Sequence, residues 1–309
     1  MRTPAAGRDG FALVAVLWVL VVAGALAAEV HAGVRADQRV AANARAEARA
    51  RWAARGAVAE AVEALRARLA EDAAGGTGLV STDTLLVPPV GLELDGVVAT
   101  AVATDARARL DLNRATPGEL AALWRALGWD ARRADALAEA VARWRAERLP
   151  PFLAAPVDTL RPPIRPAAGP FAAVEALRGV PGVAEDEYGA AEPYLTVASD
   201  GRINLNTAAL PVLATLPGVD PRAAEAIAGL RERAPLSTIY DLADALPAGS
   251  REALQDRLAE LIPRAAFVPR EVEIRAVGRA PGSPVEVRIR AVAVMAGGTR
   301  LPVVRVAER

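Results

Sequence analysis

The amino-terminal stretch FALVAVLWVLVVAGALAA, residues 11–28, contains no charged side chain. As a helix it would be about 27 Å long at about 1.5 Å per residue, close to the hydrocarbon thickness of a bilayer, about 30 Å. Arg2 and Arg8 precede it, and positively charged flanks stay in the cytoplasm. The sequence therefore predicts one membrane span, residues 11–28, with the amino terminus inside and the rest of the chain outside.

A helical pattern continues beyond the apolar stretch through Ala- and Arg-rich sequence. Four apolar residues recur at spacings of four, three and four: Val58, Val62, Leu65 and Leu69. This is the period of a helix with one buried stripe, and Gly75 with Gly76 then ends the pattern. We expect a stem helix from Phe11 to Ala74, about 95 Å long, whose part outside the membrane, residues 29–76, ends packed on a folded domain.

Two processing sites compete at the amino terminus. Residues 25–27, Ala-Leu-Ala before Ala28, satisfy the small-x-small pattern of a secretory signal cleavage site; cleavage there would release a soluble protein. Alternatively, a short charged leader, residues 1–10, ends at Gly10 and is removed before Phe11, which keeps the apolar helix. The continuation of the helical pattern past Ala28 favours the second interpretation.

The remainder of the chain predicts one sheet interrupted by helices. Strand-like runs occupy residues 79–87 and 97–104, and three alternating segments follow at 271–276, 285–290 and 301–306, the last two joined by a turn at Gly297-Gly298. Each group alone is too small for a stable sheet. We therefore expect a small antiparallel core from residues 77–108 and 265–309, with the long helix on one face and a helical insertion at 109–264.

The insertion contains an internal repeat. RLDLN at residues 109–113 matches RINLN at 202–206, and a second set of Gly, Asp, Arg and Ala positions repeats after Gly128 and Gly218. Two related helical units, 109–149 and 202–262, are therefore expected on either side of a Pro-rich connector.

The second unit contains LPGV at residues 216–219, which resembles a helix-hairpin-helix turn that can present backbone amides to a phosphate. With its flanking segments it is similar to competence-type DNA receptors. However, residues 202–262 hold six Arg and eight acidic side chains, a net charge of minus two, whereas phosphate binding depends on a cationic excess. We expect a structural or protein-binding unit, with a membrane-tethered DNA-binding protein as the alternative, and do not expect nucleic acid as the partner.

The composition leaves little room for catalysis. The chain has no cysteine, a single histidine (His31), and 37 basic residues balanced by 37 acidic ones. Thiol nucleophiles, thiolate metal sites and paired-histidine zinc sites are thereby excluded. We expect no enzyme, no catalytic residue and no cofactor, with calcium left open at the acidic run Glu185, Asp186 and Glu187, because hard cations take several carboxylate oxygens.

The charged leader, the Gly10-Phe11 junction, the apolar helix and its amphipathic continuation resemble the type IV prepilin class. The resemblance implies a pilin-like α+β fold and removal of the leader by a prepilin peptidase, which also methylates Phe11. Pilins usually carry Glu as the fifth mature residue, but here it is Ala15. This absence, together with the Asn-Leu-Asn segments and a sterile-alpha-motif-like insertion, is similar to the minor pseudopilin K family of type II secretion systems.

The family resemblance implies a mechanical function. A pseudopilin K is expected to cap or initiate the tip of the pseudopilus, and so to support export of folded proteins. The implied partners are minor pseudopilins I and J, the major pseudopilin, the prepilin peptidase and the secretion assembly platform. The implied location is the inner membrane, with a single span and the carboxyl-terminal domain in the periplasm.

Overall fold

The computed structural model describes residues 8–74, 82–147, 169–243, 246–295 and 304–308. The helices are α1 (Arg8–Ala74), α2 (Pro117–Ala126), α3 (Ala131–Ala146), α4 (Glu185–Ala191), α5 (Leu210–Leu213), α6 (Pro221–Arg231), α7 (Tyr240–Ala243), α8 (Ala248–Asp256) and α9 (Leu258–Leu261). The strands are β1 (Val90–Leu94), β2 (Val97–Asp105), β3 (Leu110–Asp111), β4 (Leu195–Thr196), β5 (Ile203–Asn204), β6 (Ala265–Ala266), β7 (Glu271–Arg279), β8 (Glu286–Val294) and β9 (Val304–Glu308).

The stem α1 is one continuous helix of 67 residues, which begins at Arg8 rather than at the predicted Phe11 and ends at the predicted Ala74. Its side chains are exposed from Val14 to Arg35 and from Asp37 to Val40, and they become buried on one face further along. The buried face consists of Ala46, Ala50, Ala53, Ala54, Ala57, Val58, Ala61, Val62 and Leu65. Because most of these residues are alanine, the helix backbone can lie close to the sheet.

Five antiparallel strands form the sheet, in the order β1-β2-β7-β8-β9. Alternate residues of β2, such as Ala99 and Ala101, face α1 together with Val272 and Ile274 of β7. Since β2 and β7 are neighbours in the sheet but 165 residues lie between Asp105 and Glu271 in the chain, the intervening residues are an insertion between paired strands. The predicted α+β fold is confirmed.

The first strand differs from the prediction. In the described part of residues 79–87, only Leu85 pairs with the sheet, by a single bridge to Thr104, and the strand β1 lies after Pro88 and Pro89. Proline cannot donate to a strand ladder, so regular pairing begins beyond it. Asp95 and Gly96, with φ of 51° and 72°, form the two-residue turn into β2, the Asp-Gly signal for a hairpin.

The late strands occur where the alternation predicts them, and β8 runs on to Val294. Residues Gly297 and Gly298, the expected turn, lie outside the described residues. One boundary moves: Ala265 and Ala266 pair with β5 and pack in the insertion, so the chain returns to the sheet at Glu271 rather than at 265.

Among the described residues the hydrophobic side chains form two cores, one beneath α1 and one inside the insertion. Trp124 and Trp144 are buried in the second core, and Trp129 packs at its margin. The insertion is helical apart from two short parallel strand pairs, β3 with β4 and β5 with β6, which the prediction of an all-helical insertion did not include.

Candidate functional site: the stem and the paired units

The proposed processing site lies in the first turns of the stem. Gly10 and Phe11 are both within α1, and Ala15 is an exposed residue of the same helix. The helix continues without interruption through Ala28. Cleavage before Phe11 and its methylation stay predictions, because this cut and the alternative cut before Ala28 both fall inside the same continuous helix.

The apolar half of the stem is long enough to cross a membrane. Among the described residues, α1 is the one helix whose length and composition suit a span, and none of its most apolar stretch is buried. Trp18, Leu17 and Leu20 are each more than 60% exposed. Such exposure is costly in water, so this half of the stem needs lipid or other helices around it. His31 lies just beyond it and is exposed.

The two repeat units open with the same backbone arrangement. In the first, Oδ1 of Asp111 accepts a hydrogen bond from the Asn113 amide at 2.8 Å. In the second, Oδ1 of Asn204 accepts from the Asn206 amide at 3.1 Å. Asp and Asn form this local turn because a short polar side chain reaches the amide two residues on.

The second Asn of each unit ties the turn to a distant segment. The Asn113 side chain accepts from the Phe171 amide at 2.7 Å and donates to the Phe171 carbonyl at 2.9 Å. The Asn206 side chain makes the same pair of bonds with Leu236, both at 2.8 Å. An aspartate could not donate in this way, which explains why both units carry Asn at this position.

An arginine closes each unit in the same manner. Nη1 of Arg145 donates to the carbonyls of Leu112 and Ala115, both at 2.8 Å. Nη1 of Arg231 donates to the carbonyls of Leu205 and Ala208, at 3.1 and 2.6 Å. Sequence reasoning missed this pair because the spacing between the arginines differs from that of the Asn-containing turns. The signal was available: each arginine lies in the last turn of its helix.

Buried polar contacts join the units to the sheet. The Asp105 carboxylate, which ends β2, accepts hydrogen bonds from the side chains of Asn204 and Thr207, both at 2.7 Å, and from the Arg107 amide at 2.9 Å. Asp105 is fully buried, and this burial raises its pKa above the ordinary value despite those donors. The insertion is therefore anchored to the sheet, not merely tethered by its two connections.

The Leu216–Val219 hairpin, which resembles a nucleic-acid-binding turn, packs against α8 of the same chain. Gly218 has φ of 75°, and a Cβ there would lie 2.7 Å from the Ala253 carbonyl oxygen in α8. The amino terminus of α6 is capped by Asp220, which accepts from the Ala223 amide at 2.7 Å and from the Ser250 hydroxyl. A carboxylate thus already occupies the place where a helix amino terminus would receive a phosphate.

A cleft of about 600 Å³ separates this hairpin from α2 of the first unit. Three arginines line it, and each is matched by a carboxylate: Arg125 by Asp135 at 3.0 Å, Arg257 by Glu260 at 2.5 Å, and Arg264 by Glu119. The cleft therefore carries no cationic excess of the kind that nucleic acid binding requires.

The acidic run does not fit a calcium site. The Glu185 carboxylate is bound by Arg178 at 2.6 Å, and that of Glu187 by Arg133 at 2.5 and 2.7 Å. The hydrogen bonds from Arg133 hold the pKa of Glu187 below its ordinary value. Within the described residues, no group of three His, Cys, Asp or Glu side chains is arranged to hold a metal ion. Arg178 and Arg133 therefore supply the positive charge that neutralises the Glu185 and Glu187 carboxylates.

A long amino-terminal helix packed on a small antiparallel sheet is the architecture of a pilin-like protein, here with a helical insertion between two paired strands. Residues 97–200 match the family model described as type II secretion system (T2SS), protein K. Over these residues, about a third of the chain, the sequence is similar to that family. The matched residues span β2, the first unit and the segment up to Asp200, which binds Arg107 just before the first unit.

The same fold occurs in a solved structure of the GspK-GspI-GspJ complex from the type 2 secretion system of enterotoxigenic Escherichia coli. The match has a TM-score of 0.58 and 17% sequence identity, and it covers 89% of this chain and 99% of that chain. No curated protein matches the sequence. The family is a structural component of the secretion system.

Proposed function

We propose that this chain is a minor pseudopilin that occupies the tip of the pseudopilus, where it caps or initiates the filament and supports export of folded proteins across the outer membrane. The observation that carries the proposal is the uninterrupted α1, whose first half is apolar and exposed and whose second half is fixed to the sheet. The rigid stem would hold the sheet and the insertion at a fixed distance from the membrane. The function would be mechanical rather than catalytic.

The position of the insertion supports a capping role. Gly278, near the end of β7, lies against Ala50, at the membrane side of the packed part of the stem. The other end of β7, at Glu271, is paired close to Asp105 at the end of β2. The insertion therefore leaves the sheet at the end away from the membrane, where its bulk would prevent a further subunit from adding above.

The absence of a carboxylate at position 15 supports the proposal that this chain is the first subunit of the filament. A pilin carboxylate at this position pairs with the amino terminus of a neighbouring subunit, and Ala15 cannot do so. A subunit with no predecessor has no such amine to neutralise. We propose that Phe11, methylated after removal of residues 1–10, is the mature amino terminus.

The partners that we propose are minor pseudopilins I and J, the major pseudopilin, the prepilin peptidase and the assembly platform. We propose an inner-membrane location with the amino terminus in the cytoplasm and the folded head in the periplasm. The solved complex of three such proteins supports the first two partners.

Intact-mass and amino-terminal analysis of the protein from membranes tests the proposal. In cells that contain the prepilin peptidase, we expect a mature chain that begins at methylated Phe11 and stays in the membrane fraction. A Gly10→Val variant should keep its leader. A chain that begins at Ala28 and appears in the soluble periplasmic fraction would contradict the proposal.

Nucleic acid binding is the second candidate, favoured only by the shape of the Leu216–Val219 hairpin. The internal packing of Gly218 and the neutralised arginines of the cleft argue against it. Retention of DNA by the full chain in detergent, lost as salt is raised, would support this candidate. We expect no retention at physiological salt.

A further inference from the structure

Glu271 lies where the chain returns from the insertion to the sheet. Arg107 follows the end of β2 and Glu271 begins β7, so the two connections between sheet and insertion meet at this pair. Asp200, which precedes the second unit, also binds Arg107. The contacts among these three residues are here called the joint. One guanidinium at the joint thus faces two carboxylates, one from the insertion and one from the sheet.

Arg107 gives its hydrogen bonds to Asp200 and leaves Glu271 without one. Its Nε and Nη2 donate to the two Asp200 oxygens at 3.1 and 2.5 Å, and its Nη1 donates to the Val268 carbonyl at 3.1 Å. Oε2 of Glu271 lies 3.2 Å from Nε of Arg107, yet it is buried and accepts no hydrogen bond from the described residues. A buried acceptor without a donor is unfavourable, most of all when it is charged.

The other charges around Glu271 do not compensate for this loss. Nε of Arg270 lies 3.7 Å from Oε1 of Glu271, but the Arg270 side chain is 55% exposed and its charge is screened by water. Asp105, at the end of β2, is a further buried carboxylate beside Arg107, and the residue paired with Glu271 in β8 is uncharged. Burial, together with the charge of Asp200, therefore raises the pKa of Glu271 above its ordinary value despite the two arginines.

We propose that Glu271 is a proton-operated switch in the joint. When Glu271 is protonated, Asp200 alone binds Arg107, and the insertion is held firmly to the sheet. When Glu271 is ionised, it competes with Asp200 for Arg107, and the insertion is held less firmly. The arrangement observed here, with both Nε and Nη2 of Arg107 on Asp200, is the one expected of the protonated state. The switch depends on these residues and not on any partner of the chain.

Protonation of Glu271 should stabilise the folded chain. Because the pKa of Glu271 is higher in the folded than in the unfolded chain, the folded chain binds more protons between the two values. The contribution of Glu271 is therefore complete below about pH 4.5 and is lost as the pH rises through the raised pKa of the folded chain. Glu273, two residues further along β7, has a lowered pKa and the opposite dependence.

Urea unfolding of the full chain in mild detergent tests the direction of the effect. Glu271→Gln keeps the shape of the side chain and removes its charge. At mildly alkaline pH we expect this variant to have a higher urea midpoint than the unaltered chain, and the difference should disappear towards pH 4.5, the ordinary pKa of glutamate. Glu273→Gln, the same change two residues away, is the matched control and should lower the midpoint. A Glu271→Gln variant that lowers the midpoint or fails to fold would overturn the proposal.

Asp200→Asn tests the competition for Arg107. Without the charge of Asp200, the guanidinium should turn to Glu271, which then needs its charge. Adding Glu271→Gln should therefore lower the urea midpoint in this background, although it raises the midpoint in the unaltered chain. The same sign in both backgrounds would contradict the competition.

Hydrogen exchange followed by mass spectrometry measures how firmly the joint is closed. At mildly alkaline pH, peptides that cover residues 198–206 and 265–272 should exchange more slowly in Glu271→Gln than in the unaltered chain, because local opening becomes rarer. Peptides from α3 should exchange equally in both proteins. Equal exchange at 198–206 and 265–272 would overturn the proposal, and this measurement decides the matter even if Asp200→Asn does not fold.

Discussion

Arg107 and Asp200, which lie 93 residues apart at corresponding places before the two repeat units, bind each other through two parallel hydrogen bonds of 3.1 and 2.5 Å. The same guanidinium donates to the carbonyl oxygen of Val268 at 3.1 Å and lies 3.2 Å from the Glu271 carboxylate. Arg107 is only 4% exposed. One buried side chain thus connects the end of β2, the start of the second unit and the return to the sheet.

Loss of Arg107 should destabilise both the sheet and the insertion. In Arg107→Ala, Asp200 and Glu271 lose their buried counter-charge, and we expect a loss of about 3–5 kcal/mol in the free energy of unfolding. Urea unfolding followed by tryptophan fluorescence measures it. Arg125→Ala is the control, since Arg125 and Asp135 are both about half exposed, and should cost less than about 1 kcal/mol. Equal effects of the two variants would contradict the connecting role of Arg107.

The contact between stem and sheet depends on Gly278. A Cβ at this position would lie 2.2 Å from the Ala50 carbonyl oxygen, so Gly278→Ala must push α1 away from β7. We expect a loss of about 3 kcal/mol or more, at the upper end of overpacking effects. Gly91→Ala in β1 is the control, because no atom lies within 4 Å of its added Cβ. Similar thermal midpoints for both variants would show that the stem adjusts freely.

Glu273 makes the head sensitive to acid. Its side chain is 3% exposed and is bound by Arg109 at 2.6 Å, Arg275 at 3.0 Å and Arg290 at 2.9 Å. Burial opposes its ionisation, but Arg109 and Arg275 outweigh burial and hold its pKa below the ordinary 4.5.

The lowered pKa of Glu273 determines how the free energy of unfolding changes with pH. Between the folded and the unfolded pKa the unfolded chain binds more protons, so the contribution of Glu273 is complete above about pH 4.5 and is lost as the pH falls below it. Glu273→Gln should be less stable at pH 7 by about 3–5 kcal/mol, because Arg109 stays buried without its partner, and should lose less stability on acidification. Parallel pH curves for the two proteins would contradict this.

The two hairpin glycines should respond differently to the same change. Gly128 and Gly218 both have positive φ, 101° and 75°, so alanine is strained at either position, by about 1–2 kcal/mol. At Gly218 the new Cβ would also meet the Ala253 carbonyl at 2.7 Å, whereas at Gly128 nothing lies within 4 Å. We expect Gly218→Ala to cost clearly more than Gly128→Ala in urea unfolding. The reverse order would mean that the hairpin of the second unit is not fixed against α8.

Local patterns predicted much of this architecture. The stem followed from an apolar run joined to a stripe at helical spacing, and the late strands from alternation, because both periods are properties of the chain itself. The first strand was misplaced because residues 79–87 have strand-like composition, whereas pairing was decided by Pro88 and Pro89 and by the turn at Asp95-Gly96.

By itself, the sequence determined the long helix, its apolar half, the interrupted sheet and the existence of two related units, since each depends on short-range periodicity or on direct repetition. Tertiary structure alone decided which side of the stem is buried, that the hairpin at Gly218 packs inward, that the acidic run is neutralised by Arg133 and Arg178, and that Arg107 reaches Asp200. These contacts join residues far apart in the chain, so their partners are fixed by packing and charge in three dimensions and leave no local pattern.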